Sequence, residues 1–486
     1  MSENQHYSTR SQRHSQQPKK SNTGKNIFTI ISILFVALVL VGGYSIFSMK
    51  QHQAQAMEHF TDSAKSLLAD IQEERDQSGL ANKKTVKGNE QVKLVIYTPQ
   101  NDSPIPDADK KLTALANQIK KQVKADEMAV LVSKVAVKHV TDQLDTYQLV
   151  AEHYRWNEKE NTFKQAKGLS EAPVYVSQKT GKAVAIKDVI PSEADLLGIQ
   201  QVIQQKILDA SKEKGMIDKV LTMPRISFDN EITYTPENLT ISLPKNDTGT
   251  STITLAYKDI AAYVNTQLVD PATVKDALPV IDPKKKYIAL TFDDGPNGVT
   301  TPKLLDILKE KNAKATFFML GENVSANQEL VKRVHEEGHE VASHSYSHPQ
   351  LTTLNAKQVQ EEVRKTDKAI FEASGILPRN IRPPYGAIDG ATAKTIGKPI
   401  IQWDIDSEDW KSKNAAIITP RVTGSAYNGA MILMHDIHSE TIAAVPGIID
   451  TLQAQGYEFV TIDTLLAGKQ KPLHQYFGMT DERYVE

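Results

Sequence analysis

Apolar positions along this chain change their spacing from one stretch to the next, and each change predicts a different kind of element. Residues 1–26 hold Ser, Gln, Asn, Lys and Arg with almost nothing apolar to bury, the pattern of a disordered tail. Residues 27–47 are uncharged and strongly apolar. At about 1.5 Å per residue they cover roughly the 30 Å of a bilayer core, and they exceed the about 7–15 residues of a signal-peptide apolar region. A transmembrane helix is predicted there. Arg10, Arg13, Lys19, Lys20 and Lys25 precede it and only Lys50 follows closely, so the positive-inside rule puts the N-terminus in the cytoplasm and nearly all of the chain outside. Ala54-Gln55-Ala56 has the form of a small-residue cleavage site, but it stands several residues beyond the apolar run, so the helix is expected to be retained.

Phe60, Ala64, Leu67, Leu68 and Ile71 then fall at helical spacing, and a polar Lys-, Asn- and Gly-containing segment follows, predicting a stalk helix and linker over 48–90. Residues 91–275 read as an α+β middle domain. Strands are expected at 93–97, 128–137 and 147–154, a helix at 112–123, and a hairpin over 174–190 turning at Lys179-Thr180-Gly181-Lys182. A helix at 193–212 and strands at 226–234, 239–243 and 252–257 complete it. No constellation of His, Asp, Glu or Ser gathers here. The segments Tyr234-Thr235-Pro236-Glu237-Asn238-Leu239 and Ile253-Thr254-Leu255-Ala256-Tyr257-Lys258-Asp259-Ile260 resemble the α+β extracytoplasmic module of some anti-sigma factors, one of which binds lysozyme. The domain is expected to be a spacer or a binding module whose partner is unknown.

Beyond Asp282-Pro283-Lys284-Lys285-Lys286 the pattern becomes a regular β/α alternation. Strands are expected at 287–292, 315–320, 340–344, 380–382, 399–405, 430–435 and 458–462. Helices fall between them, one opening at Thr301-Pro302 and one carrying Val359, Val363, Thr366 and Ile370 on a single stripe. Such alternation argues for an α/β unit of parallel strands with helical crossovers, and about seven repeats suit a barrel better than an open sheet. This domain is placed at 276–470, with 471–486 as a C-terminal tail.

Composition narrows the classes. A chain of 486 residues holds two or three folding units. Its 57 Lys+Arg against 59 Asp+Glu give a net charge of −2, which offers no electrostatic case for nucleic acid. With no cysteine, disulfides, thiolate nucleophiles and Cys-based metal sites are excluded.

The candidate chemistry lies where the regular strands end. Asp293 and Asp294 follow the first strand, His344 ends the third with His348 beyond it, Arg382 and Tyr385 follow the fourth, Asp409 and Trp410 the fifth, and His435 ends the sixth. Active sites of β/α barrels collect at that face. Asp294, His344 and His348 offer one carboxylate and two imidazoles, a set suited to zinc and also able to hold iron, cobalt or manganese. Asp293 is then placed to take a proton, with Arg382 keeping it ionised, and His435 to protonate a leaving group, with Asp409 fixing its tautomer. Arg382-Pro383-Pro384-Tyr385-Gly386 is a stiff loop with a backbone N–H to offer an oxyanion. Trp410 reads equally as core filler or as site wall.

Thr291-Phe292-Asp293-Asp294-Gly295-Pro296, His344-Ser345-Tyr346-Ser347-His348, Arg382-Pro383-Pro384-Tyr385, Asp406-Ser407-Glu408-Asp409-Trp410 and Leu433-Met434-His435-Asp436-Ile437-His438 resemble, in order, the motif series of the NodB-homology polysaccharide deacetylases, carbohydrate esterase family 4. The resemblance covers about 286–466. It implies a distorted (β/α) barrel, Asp293 as base, Asp294, His344 and His348 as metal ligands, and Tyr385 giving its backbone N–H to the oxyanion. It implies further that His435 is the acid, that Arg382 and Asp409 tether base and acid, and that Trp410 and Leu433 line an acetyl pocket. The membrane-anchored arrangement resembles peptidoglycan N-acetylglucosamine deacetylases, so the expected substrate is peptidoglycan and the product acetate. Other β-linked glycans (chitin, poly-N-acetylglucosamine, acetylxylan), or a wall- or lysozyme-binding role for the middle domain, are the alternatives.

Overall fold

The computed structural model describes residues 23–77, 80, 82–100 and 103–486, and the expected tail lies outside them up to residue 22. Thr23–Gln77 form one uninterrupted helix, so the expected span and stalk are a single element. No Gly or Pro occurs between 48 and 56, where Met, Lys, Gln and Ala all favour helix, and nothing stops propagation. The helix is long and apolar enough to cross a membrane. Its large apolar side chains face outward from Ile31 to Phe47, whereas Phe60, Ala64 and Ile71 are buried. Phe60 packs edge-on against Trp156 and beside Phe163. Arg75, also buried, donates to the Val135 carbonyl and to Asn82 Oδ1.

The first sheet runs β1 (Asn82–Gly88), β2 (Val92–Pro99), β3 (Ala129–Thr141), β4 (Leu144–Asn157) and β5 (Thr162–Ser170) in that order, with β6 (Val174–Ser177) also paired to β4. The helix Ala108–Lys120 links the parallel pair β2 and β3. Three expectations are corrected here. Residues 82–88, expected as linker, are an edge strand paired with β2 along their length, and Lys83, Lys84 and Lys87 give it the charge that hides such strands from hydrophobic pattern. The polar β5 was not expected at all. The hairpin expected over 174–190 forms but is cut short: Val176 bridges Ala183, with Ser177 N–H donating to Lys182 O and Val184 N–H to Tyr175 O, and the chain then enters the short helix Ile186–Val189, where Asp188 Oδ2 accepts from the Ala185 N–H.

A second, antiparallel meander joins β7 (Ile232–Tyr234), β8 (Asn238–Ser242) and β9 (Thr252–Ala256). It shares an apolar cluster with the helix Glu193–Ala210, including Ile199, Ile203, Leu239, Ile241 and Leu255. The strand expected from 226 begins only at Ile232, because Ser227 and Asn230 close a turn first.

The remaining strands are β10 (Lys286–Asp293), β11 (Ala315–Met319), β12 (Glu340–Ser343), β13 (Ile400–Ile401), β14 (Ile405–Asp406), β15 (Met431–His435), β16 (Tyr457–Phe459), β17 (His474–Tyr476) and β18 (Glu482–Tyr484). Parallel pairing runs β12-β11-β10-β15-β14, with β16 also on β10. Single parallel bridges carry the series from Ser343 through Ile381 to Ile400. β10 is buried from Tyr287 to Asp293, as a strand covered on both faces must be. The expected strand at 380–382 is thus reduced to Ile381, bridged on both sides, and that at 399–405 is broken in two. The break arises because Gln402 N–H bonds Tyr476 O while Asp404 N–H bonds Met431 O, so the halves serve different neighbours. Residues 471–486 are not a tail: they form β17 and β18, bury Leu473 and Val485, and end with Glu486 O accepting from Gly390 N–H.

The described chain divides into two compact units, one reaching Ala136 and including Gln148–Ala172, the other comprising Val137–Tyr147 and Pro173–Glu486. The second half of the expected middle domain therefore packs with the β/α unit. Phe371 and Leu377 join the meander's apolar cluster, and Arg225 donates to the carbonyls of Lys394 and Thr395 at 2.6 Å each.

Candidate metal centre and acid–base site

Strands β10 and β15 lie side by side with Asp293 and His435 opposite each other, so parallel register alone brings a carboxylate and an imidazole to the same sheet end. Each has a buried partner. Arg382, fully buried, donates from Nη1 to Asp293 Oδ1 at 2.7 Å and to Thr291 Oγ1 at 2.7 Å. Its other nitrogens donate to the carbonyls of Ile401 and Gln402, and the Phe318 ring lies 4.1 Å from its Cζ. A guanidinium so enclosed has one orientation, and it gives Asp293 one as well.

Asp409, equally buried, lies 2.7 Å through Oδ1 from His435 Nδ1. Its Oδ2 accepts from the His435 N–H and from Thr441 Oγ1. Burial works against a charged His435, but the Asp409 hydrogen bond and charge, with Asp293 and Asp294 beyond, outweigh it and raise the pKa to about 9. Burial likewise pushes the Asp409 carboxyl up, and the bonds from His435 and Thr441 bring it below its ordinary value. His435 is therefore protonated at neutral pH and able to give that proton from Nε2.

Where β10 ends, Asp294 takes left-handed backbone at φ 71° and its carbonyl accepts from Asn323 Nδ2. Its Oδ1 stands 3.5 Å from His344 Nε2 and 3.6 Å from His348 Nε2, and the three ligand atoms lie within 4.8 Å of one another. These residues fit a divalent cation on two grounds. Asp294 Oδ1 is buried without a hydrogen-bond partner, the state of a ligand atom whose cation is its partner. His344 Nδ1 lies 2.7 Å from the Arg382 carbonyl, which fixes the proton there and turns the Nε2 lone pair inward. Burial also lowers the His344 pKa against the opposing charges of Asp293 and Asp294, favouring the neutral form that a ligand needs.

Tyr385 has left-handed backbone at φ 60°, and its ring, 67% exposed, packs edge-on to His348 at 4.8 Å. The turn's hydrogen bonds run from Gly386 to Pro383 and from Ala387 to Pro384, and neither uses the Tyr385 N–H. Trp410 is half exposed beside Asp409, and Leu433 is buried two residues before His435. Three residues without a sequence-derived role also support the site: Asn323, Thr441 and Asp436. Asp436 is fully buried, receives Thr301 Oγ1–H, and is pushed up to about 7 by burial. It stood inside a motif already singled out, whereas Asn323 and Thr441 carry no local signal.

Two family models match. Polysaccharide deacetylase covers residues 281–398, and the peptidoglycan GlcNAc deacetylase N-terminal domain covers 65–275. The peptidoglycan-N-acetylglucosamine deacetylase PgdA of Listeria monocytogenes is 34% identical over 474 residues, 94% of this chain and 98% of that one. The peptidoglycan-N-acetylmuramic acid deacetylase PdaC of Bacillus subtilis is 43% identical over 185 residues, 38% of this chain and 40% of that one. A solved structure of PdaC covers 38% of this chain and 92% of its own, with a TM-score of 0.38. Likeness to PgdA along nearly the whole of both chains, together with both family models, means that the chain belongs to the polysaccharide deacetylase family, carbohydrate esterase family 4, as a peptidoglycan N-acetylglucosamine deacetylase.

Proposed function

We propose that the chain is a metal-dependent hydrolase that removes the N-acetyl group of N-acetylglucosamine in peptidoglycan, releasing acetate and leaving a free amine. The observation that carries this reading is the pairing of Asp293 with Arg382 and of His435 with Asp409, each at 2.7 Å, on neighbouring strands beside the Asp294, His344 and His348 cluster. Asp294, His344 and His348 hold the cation, zinc by preference of the ligand set, with cobalt or manganese as alternatives. When bound, a divalent cation supplies Lewis acidity toward an acyl oxygen and acidifies water.

Asp293 accepts the proton of the attacking water as its oxygen bonds the acetyl carbon. Arg382 holds that carboxylate in place. The Tyr385 backbone N–H faces the developing oxyanion, while Trp410 and Leu433 wall the acetyl group. His435 donates its Nε2 proton to the amide nitrogen as the C–N bond breaks, and Asp409 holds it for that transfer. The open series of parallel pairings from β14 through β15, β10, β11 and β12 to Ile381 and β13 supports a distorted (β/α) barrel for this domain.

The N-terminal helix, with its flanking positive charge, supports a single-pass protein of the cell membrane with a cytoplasmic N-terminus and the catalytic domain facing the wall. The test is the chain purified in detergent, stripped of divalent metal, given zinc, and offered peptidoglycan, chitin oligomers and acetylxylan in parallel. Acetate is expected from peptidoglycan at N-acetylglucosamine. No acetate from any substrate with any restored metal overturns the reading.

A further inference from the structure

Between the two clustered imidazoles runs Ser345-Tyr346-Ser347, a loop with no helix or strand of its own. It is bounded by left-handed backbone at non-glycine residues, φ being 70° at Ser345 and 61° at His348. Such conformations persist only where the surroundings over-determine them. Here the constraint is traceable atom by atom. The Ser345 and Tyr346 carbonyls accept from the N–H groups of Gly321 and Glu322 at 3.0 and 3.1 Å. The His348 N–H donates to Ser345 Oγ at 3.1 Å.

Two further backbone donors of the loop go to a single side chain. Tyr346 N–H and Ser347 N–H each donate to Glu362 Oε2 at 2.9 Å, and Ser347 Oγ donates to Glu362 Oε1 at 3.0 Å. Glu362 stands on the helix Ala356–Ser374, whose first turn is closed by reciprocal bonds between Asn355 and Gln358, so the carboxylate projects from a rigid support. Hydrogen bonds to a carboxylate are stronger than neutral ones, and three converge on this one. Glu362 touches neither imidazole, yet it closes the only covalent path between them.

We propose that Glu362 is a positioning residue for the metal centre: by clamping Ser345–Ser347 it sets the spacing and direction of His344 and His348 Nε2, and with them the affinity for a divalent cation. This rests on the metal reading given under Proposed function. Partners that orient metal ligands typically carry about 10–100-fold in metal affinity.

The test measures zinc binding by the purified chain against a chromophoric chelator, with no substrate present. Glu362→Ala is expected to weaken zinc binding about 10–100-fold. Glu362→Gln is expected to lose less, because the amide oxygen still accepts from both backbone N–H groups. Melting curves recorded in excess chelator are expected to match the wild type. A merely structural role would instead lower that metal-free melting temperature and leave the affinity of the folded chain unchanged. Unchanged affinity in whichever variant folds overturns the inference. Failure of the wild type to bind any divalent cation overturns the metal reading beneath it.

Discussion

Asp293 and His435 sit opposite each other on adjacent parallel strands, and the structure restrains them in opposite ways. On β10 the proposed base is a carboxylate held by a permanent cation, Arg382, whose charge does not titrate in proteins. On β15 the reacting group is itself the titrating cation, held by a buried carboxylate, Asp409. The first arrangement fixes a carboxylate through a partner whose own charge does not change. The second keeps an acid protonated only up to a pH that the partner sets. In the proposed mechanism one register pair supplies both the proton acceptor and the proton donor.

The sharpest break of this comparison is at Asp293 and its neighbour. Asp293→Asn removes the proton acceptor while Asp294, His344 and His348 remain, so zinc content is expected to stay near wild type while kcat falls by about 10²–10⁴-fold. Asp294→Asn is expected to lose zinc as well as activity. Metal analysis beside a rate measurement separates the two, and equal zinc loss in both variants overturns the division of roles.

Asp409→Asn probes the other side. Burial alone lowers the His435 pKa; the Asp409 bond and charge, with smaller contributions from Asp293 and Asp294, lift it to about 9. The acid form is lost as pH rises through that pKa, so removing the carboxylate moves the loss to lower pH. The basic limb of kcat/KM is expected to shift from near 9 toward neutrality, with a rate loss at pH 7 of roughly tenfold to a hundredfold, part of the about 10²–10⁴ that a positioned acid supplies. An unmoved basic limb would show that Asp409 does not set it.

The same contrast explains what could be read without the structure. β10 is legible because Tyr287, Ile288, Ala289, Leu290 and Phe292, interrupted by Thr291 alone, run directly into Asp293-Asp294, and strand ends announce themselves where apolar pattern meets a turn. The gathering of Arg382, Asp409 and His435 with them followed from parallel topology. Illegible features depended on partners distant in sequence. Glu362 reads as one more charge on an exposed helix face until the loop folds against it. Asn323 and Thr441 are ordinary polar residues until Asp294 and Asp409 reach them. β17 and β18 are too short and polar to show a period, and their strand identity comes from β13. The unbroken N-terminal helix is illegible for a different reason: the apolar pattern changes near residue 48, yet no residue there ends a helix.

The finest test of the comparison lies between its two sides, at Tyr385. Its proposed contribution is a backbone N–H, and its exposed ring meets only the His348 edge among the metal-cluster rings. Tyr385→Ala keeps the N–H and, since alanine bears the same left-handed cost at φ 60°, keeps the turn at no new penalty. kcat is therefore expected to change by only about two- to fivefold, less than the 10²–10³ carried by an oxyanion donor. A kcat loss as large as that of Asp409→Asn would mean that the phenol, not the peptide, does the chemistry, and would add a third proton-carrying group to a site described by two.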